Sequence, residues 1–192
     1  MSARRTGDDT APLLAWGDDL RAAKAERKRL GKRIAAGAAG GVALLATALF
    51  PPTPRLVFNA SASAPIGLYH VSPNTLPEVG DMVVARLPDP YRRLAASRRY
   101  LPANVPLVKR VVAVAGDDVC AIGDSLYVGD RFVARRRSVD GAGRVMPSWP
   151  GCIRLRGRQL FLLMDGPDSF DGRYFGVTGA AEIVGKADLI WP

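Results

Sequence analysis

The hydrophobic pattern of the chain changes character once. Residues 1–33 are polar and charged, and Trp16 to Arg33 reads as helical. From Ile34 to Phe50 no residue is charged (IAAGAAGGVALLATALF), and Pro51, Pro52 and Pro54 stop the run. Beyond it the apolar residues fall into short β-branched runs separated by turn signals, which predicts strands. Met82–Ala85 follows the turn at Gly80-Asp81. Asp89-Pro90 reads as an N-cap and first helical residue, opening a short helix through Tyr100. Val105–Ala115 (VPLVKRVVAVA) predicts a buried strand carrying one lysine and one arginine, ended by Gly116-Asp117. Leu126–Val128 and Arg131–Val133 flank Gly129-Asp130 as a tight hairpin. Arg135 to Arg137, with Gly141 and Gly143, read as an exposed loop; Gln159–Met164 and Ala187–Trp191 read as further strands. Residues 51–192 are therefore mainly β and long enough to bury a core.

Charge changes the picture at the N-terminal side. The 192 residues carry a formal net charge of +9. Such a balance suits nucleic acid or anionic lipid, or a basic cluster beside a membrane segment. Position separates these readings. Arg21, Lys24, Arg27, Lys28, Arg29, Lys32 and Arg33 lie on one flank of the uncharged run and a helix stop on the other. That is the arrangement of an N-in, C-out signal anchor. The competing reading is a buried alanine-rich helix of a soluble protein, and so many cations at its start weigh against it. The expected organisation is a basic cytosolic tail at 1–33, a transmembrane anchor at 34–50 and a periplasmic domain at 51–192. The bilayer of a bacterial inner membrane is then a partner and nucleic acid is not. Ala60-Ser61-Ala62 has the small-x-small form of a cleavage site, but it lies past three prolines, so the anchor is expected to be retained. Arg92, Arg93, Arg98 and Arg99 read as a solvated helix face.

Cys120 and Cys152 both follow the uncharged run. In an oxidising compartment they make one disulfide; otherwise they are two free, buried thiols. Their spacing fits no zinc signature, and with a single histidine neither a metal nor a cofactor is expected.

The stretch ASASAPIGLYHV places Ser61 and Ser63 two apart, just ahead of Pro65 and Gly67. It is either a linker or the seat of a serine nucleophile. A Ser-His-Asp triad is not available in a convincing form. His70 lies in the same extended segment as Ser63, where the two side chains cannot easily meet, and it reads as a surface residue. A serine–lysine dyad is the other form of this logic. It needs a neutral lysine, and at a reference pKa of about 10.4 only about one in two thousand is neutral at pH 7. Burial lowers that pKa by up to about 3–5 units. Lys109, inside an apolar strand, is the suitable candidate; Lys186, beside Gly185, has a less apolar setting. A strand-edge lysine snorkelling to water is the competing reading, and spacing alone leaves the two open.

Three segments carry a resemblance. Asn59 to Tyr69 (NASASAPIGLY) resembles the serine box of type I signal peptidases, in the form Ser-x-Pro-x-Gly-x-Tyr of the conjugative-transfer (TraF-type) branch. Lys109 to Asp117 (KRVVAVAGD) resembles the lysine box, and Ser169 to Gly176 (SFDGRYFG) the third box, Ser-x-Asp-Ser-Arg-Tyr-Phe-Gly. Gly80 to Val84 is similar to the intervening Gly-Asp strand. The resemblance implies the signal-peptidase β domain behind one transmembrane helix. It implies Ser63 as nucleophile, Lys109 as general base, Ser61 as a donor to the oxyanion hole and Ser169 as the group that orients Lys109. Asp171 and Arg173 would form a supporting ion pair, and Arg110, on the other face of its strand, would pair with a carboxylate such as Asp165. The implied substrate is a membrane-delivered precursor with small residues before the cut: a pilin precursor of a conjugative or type IV secretion system, hydrolysed or cyclised, or a general secretory preprotein. The family's usual Met after the nucleophile is here Ala64, its Gly-Asp-Asn is replaced by Met164 to Asp168, and its Ser after Asp171 is Gly172. The first two of these are expected to alter the substrate pocket. Two other classes compete. A self-cleaving repressor type would require a DNA-binding domain in place of the anchor. A basic, membrane-tethered binding module would make the three ordered boxes coincidence.

Overall fold

The computed structural model describes residues 11–49 and 53–192. The chain divides into two units, Met1–Pro52 and Thr53–Pro192. In the first, α1 runs from Ala11 to Leu49 as one helix, so the charged stretch and most of the uncharged run form a single element. Among the described residues no helix is long and apolar enough to cross a membrane. Alanine and glycine supply most of the run, which keeps its hydrophobicity low, and Phe50 lies outside the described residues. α1 as described therefore does not establish the transmembrane helix expected at residues 34–50.

The second unit contains β1 (Leu56–Asn59), β2 (Gly67–Ser72), β3 (Met82–Ala85), α2 (Asp89–Ser97), β4 (Leu107–Ala113), β5 (Asp118–Ile122), β6 (Ser125–Val128), β7 (Arg131–Arg135), β8 (Gly151–Arg154), β9 (Phe161–Leu163), α3 (Gly172–Phe175) and β10 (Ile183–Trp191). The strands form two sheets, β1-β2-β10-β3-β4-β9 and β7-β6-β5-β8. Every pairing within them is antiparallel.

The larger sheet coils over itself. Four strand steps separate β1 from β4, which in a flat sheet is about 19 Å. Yet Ala64, Tyr69 and Val71 of the β1–β2 hairpin share one core cluster with Val84, Val108, Met164 and Ala187, and Val57 packs against it. The right-handed twist of antiparallel strands makes this closure possible. A second cluster joins the two sheets: Ala113, Phe161 and Leu163 meet Val119, Ala121, Leu126 and Ala134. The hairpin at Gly129-Asp130 forms as expected, with Val128 opposite Arg131 and Gly129 at φ 56°. Cys120 and Cys152 face each other across β5 and β8 and are bonded as a disulfide.

Several expectations need correction. Asp89 is the first helical residue of α2 and Pro88 its cap, so Asp89 pairs with Arg92 one turn on, at 3.2 Å, instead of capping. The helix stops at Ser97, where Arg99 turns left-handed (φ 60°). Arg92 and Arg98 are more than a solvated face: the Arg92 guanidinium donates to the Leu87 carbonyl, and Arg98 Nη1 to the Val145 carbonyl at 2.9 Å. Arg136, expected in an exposed loop, is 8% exposed, because its guanidinium donates to the Trp149 carbonyl at 2.8 Å and the Gly123 carbonyl at 2.5 Å. β1, β5 and β8 were not expected; β8 is exposed at every position, so burial leaves no pattern on it.

Candidate active site

The serine box is the connection of a β-hairpin. Asn59 and Gly67 are the last paired residues of β1 and β2, so residues 60–66 form the loop that holds Ser61 and Ser63. Gly67 has φ 148°, and a Cβ there would lie 2.2 Å from the Trp191 carbonyl oxygen; only glycine lets β10 approach this closely. Tyr69 donates its hydroxyl to the Pro65 carbonyl at 2.8 Å. The Ser61 and Ser63 hydroxyls lie 3.0 Å apart, and the Ser63 N–H donates to Ser61 Oγ at 3.3 Å.

Lys109 is central in β4, opposite Val83, and is 2% exposed. Its Nζ donates to Ser63 Oγ at 3.0 Å and to Ser169 Oγ at 2.8 Å. Burial brings its pKa down to about 8; Asp171 pulls the other way and Arg173 lowers it further. At that value about one lysine in ten is neutral at pH 7, against about one in two thousand unperturbed. Lys109 is thus a buried amine with hydroxyl partners, and the snorkelling reading falls.

The third segment follows β9. Asp171, 0% exposed, caps α3 by accepting from the Arg173 N–H at 3.1 Å, and its other oxygen accepts from the Met164 N–H at 3.1 Å. Burial pushes its carboxyl up, against the pull of Arg173. The Arg173 guanidinium stands 3.6 Å from Asp171 Oδ1, but its hydrogen bonds go to the carbonyls of Gly166, at 2.6 Å, and Met164. The pair therefore braces the loop that presents Ser169. Gly172 explains its departure from the family's serine: a Cβ there would meet the Leu162 carbonyl oxygen at 2.7 Å and the Phe161 ring at 2.8 Å. Trp149 packs edge-on to Phe161 and donates Nε1–H to the Gly172 carbonyl at 2.9 Å.

Ser61, Ser63, Lys109 and Ser169 open onto one cleft of about 960 Å³, whose apolar wall includes Leu101, Val105 and Phe170. Of the departures expected to alter the pocket, Ala64 and Met164 are buried together in the core cluster beneath the hairpin, whereas Asp168, at the end of the replaced segment, lines the cleft. His70 is exposed on β2. Arg110 pairs with Asp165 at 2.9 Å, with both side chains outside the cleft. The disulfide lies in the smaller sheet and lines no part of the cleft. Two further contributors were not anticipated. Asn59 ties the serine loop from beneath, and Trp149 supports α3. Asn59 stands at the head of the serine box, which is a signal of a kind; for Trp149 the sequence offers none.

A hydroxyl within hydrogen-bond reach of a buried amine of lowered pKa, with a second hydroxyl on that amine, can carry nucleophilic attack on a carbonyl. Comparison with known proteins points the same way. Residues 28–192 match the family described as signal peptidase, peptidase S26. The chain is 35% identical over 142 residues to the "Probable conjugal transfer protein TraF" of Sinorhizobium fredii, covering 69% of this chain and 74% of that protein. It is 30% identical over 168 residues to a "Plasmid transfer protein TraF" of Escherichia coli, covering 82% of this chain and 93% of that one. A signal peptidase I from Enterococcus faecalis aligns in structure at a TM-score of 0.34 and 20% identity, over 58% of this chain and 97% of that one. With the family match spanning both units from residue 28 to the last residue, the chain belongs to the peptidase S26 signal peptidase family and is a serine peptidase.

Proposed function

We propose that the protein is a membrane-associated endopeptidase in which Ser63 and Lys109 form the catalytic dyad. The observation that carries this reading is the 3.0 Å contact between Ser63 Oγ and the buried Nζ of Lys109. Neutral Lys109 takes the Ser63 proton as Oγ attacks the scissile carbonyl, then returns it to the leaving amine, leaving an acyl-enzyme. A second nucleophile releases the acyl group by the same route. Ser169 holds Lys109 in line. The Ser63 N–H, which donates to Ser61 Oγ in the free site, and the Ser61 hydroxyl turn to the carbonyl oxygen as charge develops on it. Asp171 and Arg173 keep the Ser169 loop in place.

The substrate in this reading is a membrane-delivered precursor cut after small residues, namely a pilin precursor of a conjugative transfer system; the names of the relatives support the conjugative-transfer setting. A general secretory preprotein is the second reading, supported by the description of the family. The catalytic unit works at a bilayer, on the periplasmic side of an inner membrane, with residues 34–50 as its attachment. The uncharged run, the cations before it and the exposed Ile34, Val42, Leu44 and Leu45 of α1 support this. Mass spectrometry of a candidate pilin precursor after incubation with wild-type, Ser63→Ala and Lys109→Ala protein in membranes tests it. Processing by wild type alone upholds the dyad, and a product lighter than the cut chain by one water marks cyclisation. Equal processing by all three overturns the site. Processing of a secretory preprotein but not the pilin moves the protein to the second reading. Deleting residues 34–50 should release the protein from the membrane fraction, and continued sedimentation would overturn the attachment.

A further inference from the structure

We propose that Asn59 is the positioning residue of the nucleophile loop, holding Ser61 and Ser63 in register with Lys109; this rests on the dyad reading above. Residues 60–66 have little internal structure of their own. One backbone hydrogen bond closes the segment, Ala64 N–H to the Ser61 carbonyl at a long 3.3 Å. Besides the Tyr69 tie to Pro65 and the Ser63 N–H bond to Ser61 Oγ, the loop is held by Asn59, 8% exposed at the end of β1. Its Nδ2 donates to the carbonyls of Ser61 at 2.9 Å, Pro65 at 3.0 Å and Ala64 at 3.1 Å, two hydrogens shared among three acceptors. Its Oδ1 accepts from the Ser61 N–H at 3.2 Å. One planar amide thus fixes the backbone on both sides of Ser63.

No other residue type does this from the same place. Aspartate keeps the acceptor for the Ser61 N–H but turns a negative oxygen toward three carbonyls. Alanine leaves the Ala64 carbonyl without its donor and the Ser61 and Pro65 carbonyls with one donor each, from the Ala64 N–H and the Tyr69 hydroxyl, so no single side chain joins the two sides of the loop. The hydrogen bonds of Asn59 all go to the backbone of the loop, so its influence on the chemistry is geometric. A shift of about 1 Å in a reacting group costs on the order of 100-fold in rate.

The experiment compares wild type with Asn59→Ala, Asn59→Asp, Tyr69→Phe and Ser63→Ala, all full-length and membrane-reconstituted, on a precursor peptide with alanine before the scissile bond. The expected result for Asn59→Ala is a kcat lower by about 100-fold with KM within about twofold. The midpoint of its pH–rate profile stays at the wild-type value, and circular dichroism shows a cooperative melt. Asn59→Asp falls at least as far. Tyr69→Phe, which removes the separate tie to Pro65, loses less than about fivefold and shows that the loop does not answer equally to any lost hydrogen bond. If Asn59→Ala keeps wild-type kcat, or loses kcat only in proportion to its unfolded fraction, the inference is overturned. So it is if the pH midpoint moves with kcat, since that would place Asn59 in the proton chemistry. Ser63→Ala separates the layers: if that variant still cuts, the dyad reading has failed; if it is inactive while Asn59→Ala is fully active, only the positioning role has failed.

Discussion

The two sheets of the unit Thr53–Pro192 are built on opposite principles. In the four-stranded sheet, β5, β6 and β7 are successive hairpins joined through Gly123-Asp124 and Gly129-Asp130, and the disulfide clamps β8 to β5. In the six-stranded sheet the last strand of the chain, β10, lies between β2 and β3, and β4 pairs with the distant β9. Every proposed catalytic group belongs to the second sheet or its connections. Lys109 meets Ser63 across 46 residues of sequence and Ser169 across 60. A run of hairpins brings together only what is already adjacent. A sheet closed by long-range pairing can converge three segments on one point, although such pairing is slow to form. The smaller sheet should therefore answer to mutation in stability and the larger one in rate.

The largest effect tests the larger sheet. Ser63→Ala or Lys109→Ala should each lower processing by about 10³–10⁴-fold or more, and the double variant should be no worse than either single, because the groups act as one unit. Single-turnover assays on a precursor read this directly. Ser63→Ala should melt within a few degrees of wild type. Additive losses in the double variant would break the dyad into two unrelated residues.

The matching test of the smaller sheet is Cys120→Ser with Cys152→Ser. The bond spans 32 residues of sequence. Releasing a loop of that length costs about 3.5 kcal/mol in the chain-entropy model. For a unit of this size that lowers Tm by about 10 °C. The rate per folded molecule should stay within about twofold of wild type. Calorimetry and a low-temperature activity assay check the two halves. A folded but inactive double serine variant would show that the smaller sheet also shapes the site.

The same division governs what could be read from the sequence. The segments of the proposed dyad were legible because each is short and contiguous, and Lys109 advertises itself as a charge inside an apolar strand. The Gly129-Asp130 hairpin was legible for the same local reason. What escaped depends on closure. The place of β10 in the middle of the sheet comes from pairings with β2 and β3 that no local pattern encodes. Arg136 looked like a surface residue because its partners, the carbonyls of Gly123 and Trp149, lie in other segments. Gly172 looked like a departure from pattern, and the Phe161 ring that excludes any larger residue is visible only in three dimensions. The expected span at residues 34–50 rests on missing charges and flanking cations, and no described helix is long and apolar enough to establish it.

A pH–rate profile sharpens the account of the larger sheet by a smaller factor. In the proposed dyad the active form is neutral Lys109, whose pKa burial lowers to about 8. Activity should rise about tenfold per pH unit below that value and level off above it. Because Asp171 acts to raise the Lys109 pKa, Asp171→Asn should move the midpoint downward. A midpoint near the ordinary lysine value would mean that Lys109 is solvated during turnover. An upward shift in Asp171→Asn would reverse the assigned electrostatics.

The smallest expected effect lies one residue from one of the largest. Arg110 follows Lys109 on β4, and strand alternation sends its side chain to the other face. There it meets Asp165, with the two side chains 39% and 84% exposed. A pair that open to water contributes about 0.2–1 kcal/mol at most, and less in salt. Arg110→Ala should therefore cost less than about 1 kcal/mol of stability, with processing within about twofold of wild type and no shift of the pH midpoint. A loss approaching that of Lys109→Ala would mean that rate is governed by the strand as a whole, and the contrast between rate-setting and stability-setting regions would have to be redrawn within β4 itself. A null result places the boundary between them at one peptide bond, which is as finely as an alternating strand can divide its two faces.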